Sequence, residues 1–341
     1  TPRSNRRQRQ MCIRDSWKES ITPTDVVMWL IGGTMLIMIL WGSIATLTAG
    51  KYTGRHWIDF VIFGLAQGSI YALIATGYTM VYGVLKMINF AHGEVFMSGP
   101  FTAFFVADAM YRTDFLDAHP FLALLVIFIV AMFISTMIAF FLEKVAYRPL
   151  RGAPRLIPLI TAIGASFFLQ YTFRGFYGSG FKSYPEIQAF KITPTSGTFM
   201  VAGISIPIVA VLVFVVSMLL MVILYWLVEH TKMGKAMRAV SENKEVARLM
   251  GIDIDRVIVF TFAVGGALAG AAGVIGALYR PQGINFFMGF FPGIKAFTAA
   301  VLGGIGSVPG ALLGGLFLGI FESILPNLVL DGLGIPSPNQ L

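Results

Sequence analysis

Charge is what this chain has least of. Asp, Glu, Lys and Arg make up 12% of its 341 residues, against about 25% in ordinary soluble domains. Hydrophobic residues make up 56% and the mean hydropathy is +0.77, which excludes a surface solvated by water on all sides. Cysteine is nearly absent: Cys12 stands alone, which rules out an intrachain disulfide and a cysteine-based metal centre. The histidines, His56, His92, His119 and His230, include no i, i+4 pair that could grip a metal from one helix face. A phosphate loop needs G-x-x-x-x-G-K-[ST]. Gly234-Lys235 is followed by Ala236, and no glycine stands five residues before Gly234. A G-x-S-x-G nucleophile elbow is missing too. An enzyme is therefore disfavoured, and neither catalytic residues nor a metal or cofactor is expected.

What the chain does have is apolar runs long enough to cross a bilayer, which takes about 20 residues as a helix. They are rich in Leu, Ile, Phe and Met and lack period-2 alternation, which favours helices over a barrel. Nine candidates lie at Val26–Ala49, Phe60–Gly83, Val95–Tyr111, Phe121–Leu142, Leu156–Phe173, Ser205–Val228, Val257–Tyr279, Phe291–Gly304 and Val308–Leu328. The third and eighth are short enough to be broken or re-entrant. The expected fold is an all-α polytopic transmembrane bundle of about eight to nine membrane segments.

The first sixteen residues stand apart. Arg6 to Ser16 reads RRQRQMCIRDS, which looks like the in-frame translation of a common transposase sequencing adapter. Residues 1–16 are therefore excluded from fold reasoning. Removing their five arginines and one aspartate lowers the formal charge from +8 to +4 and takes away Cys12. A basic nucleic-acid-binding arm is set aside on the same ground, and no nucleic-acid partner is expected.

Lys and Arg in short loops favour the cytoplasmic side. Lys144, Arg148, Arg151 and Arg155 put their loop there, and Lys232, Lys235, Arg238, Lys244, Arg248 and Arg256 put residues 229–256 there too. Two spans separate these loops, as both assignments require. The segment from Arg174 to Gly203 then faces outside. Lys51 and Arg55 are the discord, since the same count places them outside.

Three segments could carry function. Gly306, Gly310 and Gly314 recur every four residues, the spacing that lets membrane helices approach closely; packing is the plain reading and a ligand role the sharper one. INFAHGE places Asn89, His92 and Glu94 between two apolar runs. Such groups mark a pathway or gate if they lie at membrane depth, or a surface turn with Glu94 at a helix N-terminus if they do not. The third is ENKEVARLMG, residues 242–251. Met233, Ala236, Met237 and Val240 follow helical spacing, and Val246, Leu249 and Met250 resume it. Ser241 is the expected N-cap between them, and Gly251 the expected helix end. Two short amphipathic helices fit, either docking in a partner's groove or resting on lipid headgroups.

GLAQGSIYALIATGYTMVYGVLKMINFAHGE, AYRPLRGAPRLIPLITAIGASFFLQ, MGKAMRAVSENKEVARLMGIDIDR and AFTAAVLGGIGSVPGALLGG, in order across about residues 57–326, resemble one family. It comprises the LivH-like inner-membrane permease subunits of ABC importers for branched-chain amino acids. The resemblance implies a multi-pass protein of the bacterial cytoplasmic membrane, bearing on lipid. Its implied partners are a second permease subunit of the same family, two ABC ATPase subunits and an extracytoplasmic substrate-binding protein. Such permeases dock their ATPase through E-A-A-x-x-x-G. Glu245-Val246-Ala247 and Gly251 match it except at Val246, and the later I-x-L-P part is absent. On this resemblance Gly234, Glu242, Glu245, Ala247 and Gly251 are the expected ATPase-coupling residues. The chain divides into the adapter-like residues 1–16, an extension with one extra membrane segment at 17–56, and a permease domain at 57–341 expected to be truncated at its C-terminus. Alternatives are a related urea or short-amide importer, and an ion-coupled secondary transporter in which Glu94 or Asp59 carries protons.

Overall fold

A computed structural model describes residues 22–154, 156–185, 197–201, 204–280 and 283–335. The adapter-like residues 1–16 with Cys12, Arg155, and the final residues 336–341 lie outside the described residues. By its internal contacts the chain forms two units, residues 54–324 and residues 1–53 with 325–341.

Eleven helices are numbered here, among the described residues: α1 Pro23–Ala49, α2 Gly54–Leu85, α3 His92–Arg112, α4 Pro120–Phe141, α5 Leu156–Tyr177, α6 Ile208–His230, α7 Lys232–Glu242, α8 Lys244–Leu249, α9 Ile254–Tyr279, α10 Phe290–Leu302 and α11 Val308–Val329. Seven are long and apolar enough to cross a membrane: α1, α2, α4, α5, α6, α9 and α11. The two runs marked as short on sequence account for the difference from nine. The 21 residues of α3 are diluted by glycine and polar groups, and α10 has only 13. At 1.5 Å rise per residue α10 is about 20 Å long, well short of a hydrocarbon core of about 30 Å.

The larger unit is built around α9. Its side chains are buried on nearly every face, and it packs against α2, α3 and α4. Glycine makes this approach close. A Cβ on Gly266 would strike Ala139 and the Ser135 carbonyl, one on Gly270 the Ala131 backbone, and one on Gly273 the Phe96 carbonyl and the Pro100 ring. Pro100 inside α3 cannot donate to the carbonyl of Phe96, four residues back, and α9 lies against that freed oxygen. The α10–α11 hairpin is closed the same way, with Gly310 against Gly303 and Gly314 against the Ala299 carbonyl. Gly306 differs from the packing expected of it: it is exposed, a Cβ there would meet nothing, and its φ of +104° in the turn is what favours glycine.

Two local features depart from the helical expectation. Thr198–Val201 and Ile204–Pro207 pair as an antiparallel ribbon, so the sixth span begins at Ile208, after the extended Pro207 (φ −65°, ψ 130°). At the end of α4 the helix widens into a π turn, Leu142–Tyr147, then tightens into a 3-10 turn, Arg148–Leu150. An apolar groove of about 710 Å3 runs between this end of α4 and α5, lined among others by Phe141, Val145, Phe168 and Phe176.

In the smaller unit, Thr22 and Asp25 form a capping box at the start of α1, with Pro23 in the first turn. Nearly all of α1 is exposed and apolar, as a helix solvated by lipid would be. Gly42 and Thr46 are its buried positions. Gly42 lies against the backbones of Val329 and Gly332, and the Thr46 hydroxyl donates to the Leu328 carbonyl at 2.7 Å. Asp331 accepts from the Tyr52 phenol and pairs with Lys51 at 3.1 Å.

Candidate functional site

The polar island folds as two short helices. Thr231 caps α7 by accepting from the Gly234 amide at 3.0 Å, while its own hydroxyl donates to Leu227 of α6. A Cβ on Gly234 would collide with the carbonyls of Leu227 and Val228, so glycine lets α7 fold back on the end of α6. Arg238 fixes the angle by pairing with Glu229. The cap of α8 is Asn243, which accepts from the amides of Glu245 at 2.9 Å and Val246 at 3.1 Å. Ser241, the expected cap, lies inside α7, where its hydroxyl donates to the Arg238 carbonyl. Extending α7 to Glu242 continues the turn that buries Met237 and Val240.

Gly251 ends α8 with φ +79°. Its amide donates to Arg248 at 3.0 Å and that of Ile252 to Ala247 at 3.1 Å, the paired bonds of a Schellman motif. The apolar residues divide between two faces. Gly234, Met237, Val240 and Ala247 are buried, with α7 against α2 and α9. Leu249 and Met250 are 86% and 77% exposed, and Val246, Glu242 and Glu245 are exposed beside them.

INFAHGE is enclosed. Asn89, His92 and Glu94 are each no more than 2% exposed, so none lies on a surface turn. Asn89 accepts from the Tyr147 phenol of the π turn at 2.6 Å. His92 stands edge-on to Tyr78, ring centroids 4.8 Å apart, and its ring fills the space beside Gly77. Ala91 holds the N-cap of α3 without a side-chain bond, and Glu94 turns to α5. There Oε1 accepts from Gln170 at 2.6 Å and Ser166 at 3.2 Å, while Oε2 has no partner among the described residues. Asn89, His92 and Glu94 thus share one segment but face three different neighbours.

Those neighbours lie outside the candidate site residues read from the sequence. Ser166 and Gln170 had a readable signal, two polar residues four apart in an apolar run and so on one helix face. Arg151 had none: it pairs with Glu143 and with Asp255 of α9, bringing together charges from separate loops. The hairpin meets the C-terminal end of α2, where Lys244 donates to the Leu85 carbonyl at 3.2 Å. At Lys244, burial pushes the ammonium below its usual pKa, and the charges of Arg151 and Lys86 act in the same direction.

A helical bundle with many membrane segments, tied together at one end by a polar hairpin, defines the class: a multi-pass membrane permease. The chain belongs to the family described as the branched-chain amino acid transport system permease component, whose family model matches residues 60–331. It is 45% identical over 269 residues to the high-affinity branched-chain amino acid transport system permease protein BraD of Pseudomonas aeruginosa, covering 79% of this chain and 86% of the relative. To the permease protein LivH of Salmonella typhimurium it is 44% identical over 271 residues, and to that of Escherichia coli 44% over 270, with the same coverage. No solved structure matches the chain. It is a multi-pass protein of the bacterial cytoplasmic membrane.

Proposed function

We propose that this chain is the transmembrane permease subunit of an ABC importer that moves branched-chain amino acids, Leu, Ile and Val, into the cell. Resemblance over residues 60–331 to permeases named for that transport supports the substrate class. ATP is hydrolysed in two partner ATPase subunits, a second permease of the same family completes the membrane unit, and an extracytoplasmic binding protein delivers the substrate. Residues 57–341 form the permease domain and residues 17–56 an added N-terminal membrane segment.

The observation that carries the coupling role is the outward face of α8. Val246, Leu249 and Met250 are exposed on a hairpin whose other face is already buried, with Glu242 and Glu245 beside them. On the positive-inside assignment this face looks into the cytoplasm, where an ATPase cleft would cover it. ATP-driven closure then displaces the hairpin and biases the bundle between outward-open and inward-open states.

The test is co-purification of the neighbouring ATPase, with hydrolysis and leucine uptake in proteoliposomes, with and without loaded binding protein. Gly251→Val strains a position at φ +79°, and Glu245→Lys reverses an exposed charge. Both should insert and pair with the second permease but lose recruitment. Normal recruitment in both would leave the hairpin on lipid headgroups. Uptake that tracks a proton gradient instead of ATP would select a secondary transporter, and uptake of urea or amides in place of leucine would reassign the substrate.

A further inference from the structure

Behind the hairpin lies a group of charges that the docking role does not use. Arg151 follows the 3-10 turn after α4 and pairs with two carboxylates: Glu143 of the π turn and Asp255 in the first turn of α9. Arg148 joins it on Asp255 at 2.9 Å. The Glu143 side chain is 1% exposed, with Oε2 and the Nε of Arg151 both lacking hydrogen-bond partners among the described residues. Removing one partner of a buried ion pair is costly, so Glu143 holds Arg151 firmly, while Asp255, half exposed, holds it from the solvent side.

Lys244, the first residue of α8, reaches inward to the Leu85 carbonyl at the last turn of α2. That carbonyl is among the four a helix end leaves without an intrahelical donor, where a cation is favoured. The hairpin itself packs against α9, whose first turn Arg151 holds through Asp255. Two sets of contacts therefore flank the hairpin: Lys244 on the end of α2, and Arg151 between the π turn and the start of α9. A π turn is a register shift within a helix and often accompanies function.

We propose that Lys244 and Arg151 are positioning residues of a transmission junction: Lys244 carries displacement of the hairpin to α2, and Arg151 carries the movement of α9, against which the hairpin packs, to the π turn through Asp255 and Glu143. The proposal rests on the reading that the hairpin docks an ATPase. Contact with nucleotide or substrate is not part of it; the junction sets how strongly the two states are tied to the hairpin's position.

The experiment compares Lys244→Met, Asp255→Asn and Arg151→Lys in the reconstituted complex with both permeases, both ATPases and the binding protein. Lys244→Met keeps the packing stem and removes the ammonium. Asp255→Asn leaves Arg151 paired with buried Glu143. In both, ATPase recruitment, unstimulated hydrolysis and the KM for ATP should match the parent. Stimulation by loaded binding protein and leucine uptake should fall together by about fivefold or more, the lower end of ordinary coupling between sites. Arg151→Lys should be no better, since one ammonium cannot bridge two carboxylates as a guanidinium fork does; if it fails to assemble, the other two variants decide. Full stimulation in both Lys244→Met and Asp255→Asn overturns the proposal. Lost recruitment in either also overturns it, by placing that residue in the docking surface. Glu245→Lys separates the two readings: normal recruitment there removes the docking premise, whereas lost recruitment there with normal stimulation in the junction variants removes the junction alone.

Discussion

Replacing Glu94 by Gln and by Leu separates what its shape does from what its charge does. Gln keeps an oxygen at Oε1, so the bonds from Gln170 at 2.6 Å and Ser166 at 3.2 Å survive. Its amide nitrogen takes the place of Oε2, which lacks a partner among the described residues, so a buried carboxyl with no cation beside it is exchanged for a buried NH2 that also lacks an acceptor. The cost of an unpaired buried amide donor and the relief of an unpaired buried carboxyl oppose each other, so the expected net change is within about 1 kcal/mol of zero. Leu removes the acceptor and strands both donors. Side-chain hydrogen bonds between membrane helices average about 0.6 kcal/mol each, and unsatisfied buried donors cost about 1–3 kcal/mol each. Two donors give a range of about 1 to 6 kcal/mol. The assay is thermal denaturation of the purified permease pair in lipid nanodiscs, with leucine uptake measured on the assembled fraction. Glu94→Gln should denature with the parent and transport, and Glu94→Leu should denature earlier. Equal destabilisation by both would refute the account of the Gln170 and Ser166 bonds. Normal denaturation of Glu94→Gln with no uptake would show that transport uses the carboxylate itself.

Three further outcomes are expected. In a chain lacking Cys12, single cysteines at Ser183 and Ser241 should react with an impermeant thiol reagent from opposite sides of the membrane; labelling of both from outside would refute the orientation. Gly273→Val should drive α9 away from the Phe96 carbonyl and the Pro100 ring, so little assembled permease should survive detergent extraction, whereas Gly306→Ala, at a site open to a Cβ, should assemble with only local turn strain. Thr46→Val should remove the donor to the Leu328 carbonyl and lower stability by roughly 0.5–1.5 kcal/mol, and amide exchange just past α11 should quicken; unchanged exchange would mean that this bond does not hold that end.

The spans were legible because one physical quantity, run length of apolar residues, decides them. The hairpin was legible in part: Gly251 and the two helical spacings were readable, but Asn243 and Ser241 are both good caps, and only burial of Met237 and Val240 selects between them. Short runs were harder. Phe290–Leu302 is kept helical by burial against α2 and α3, a support that no local spacing reveals. Ser205–Pro207, the end of the second strand, reads on sequence as the start of a span because its apolar residues run on into α6. Arg151 was counted for orientation, but its carboxylate partners lie eight and 104 residues away, and only the fold brings them together. Likewise, INFAHGE was singled out as polar, while Tyr147 and Gln170, which complete it, are distant in sequence.

The glycine contacts of α9 have a mechanical consequence. Where two backbones touch without side chains between them, no rotamer can change to absorb a shift, and a small slide becomes a collision of main-chain atoms. Helices α2, α3, α4 and α9 therefore behave as a single stiff block, and any opening of a path has to be hinged at its margins. The pliable margin is α5. It is held to the block by the Glu94 bonds, aromatic contacts such as Phe101–Phe173 and packing on the π turn, with an apolar groove beside it, so a shift there meets side chains that can change rotamer instead of bare backbone.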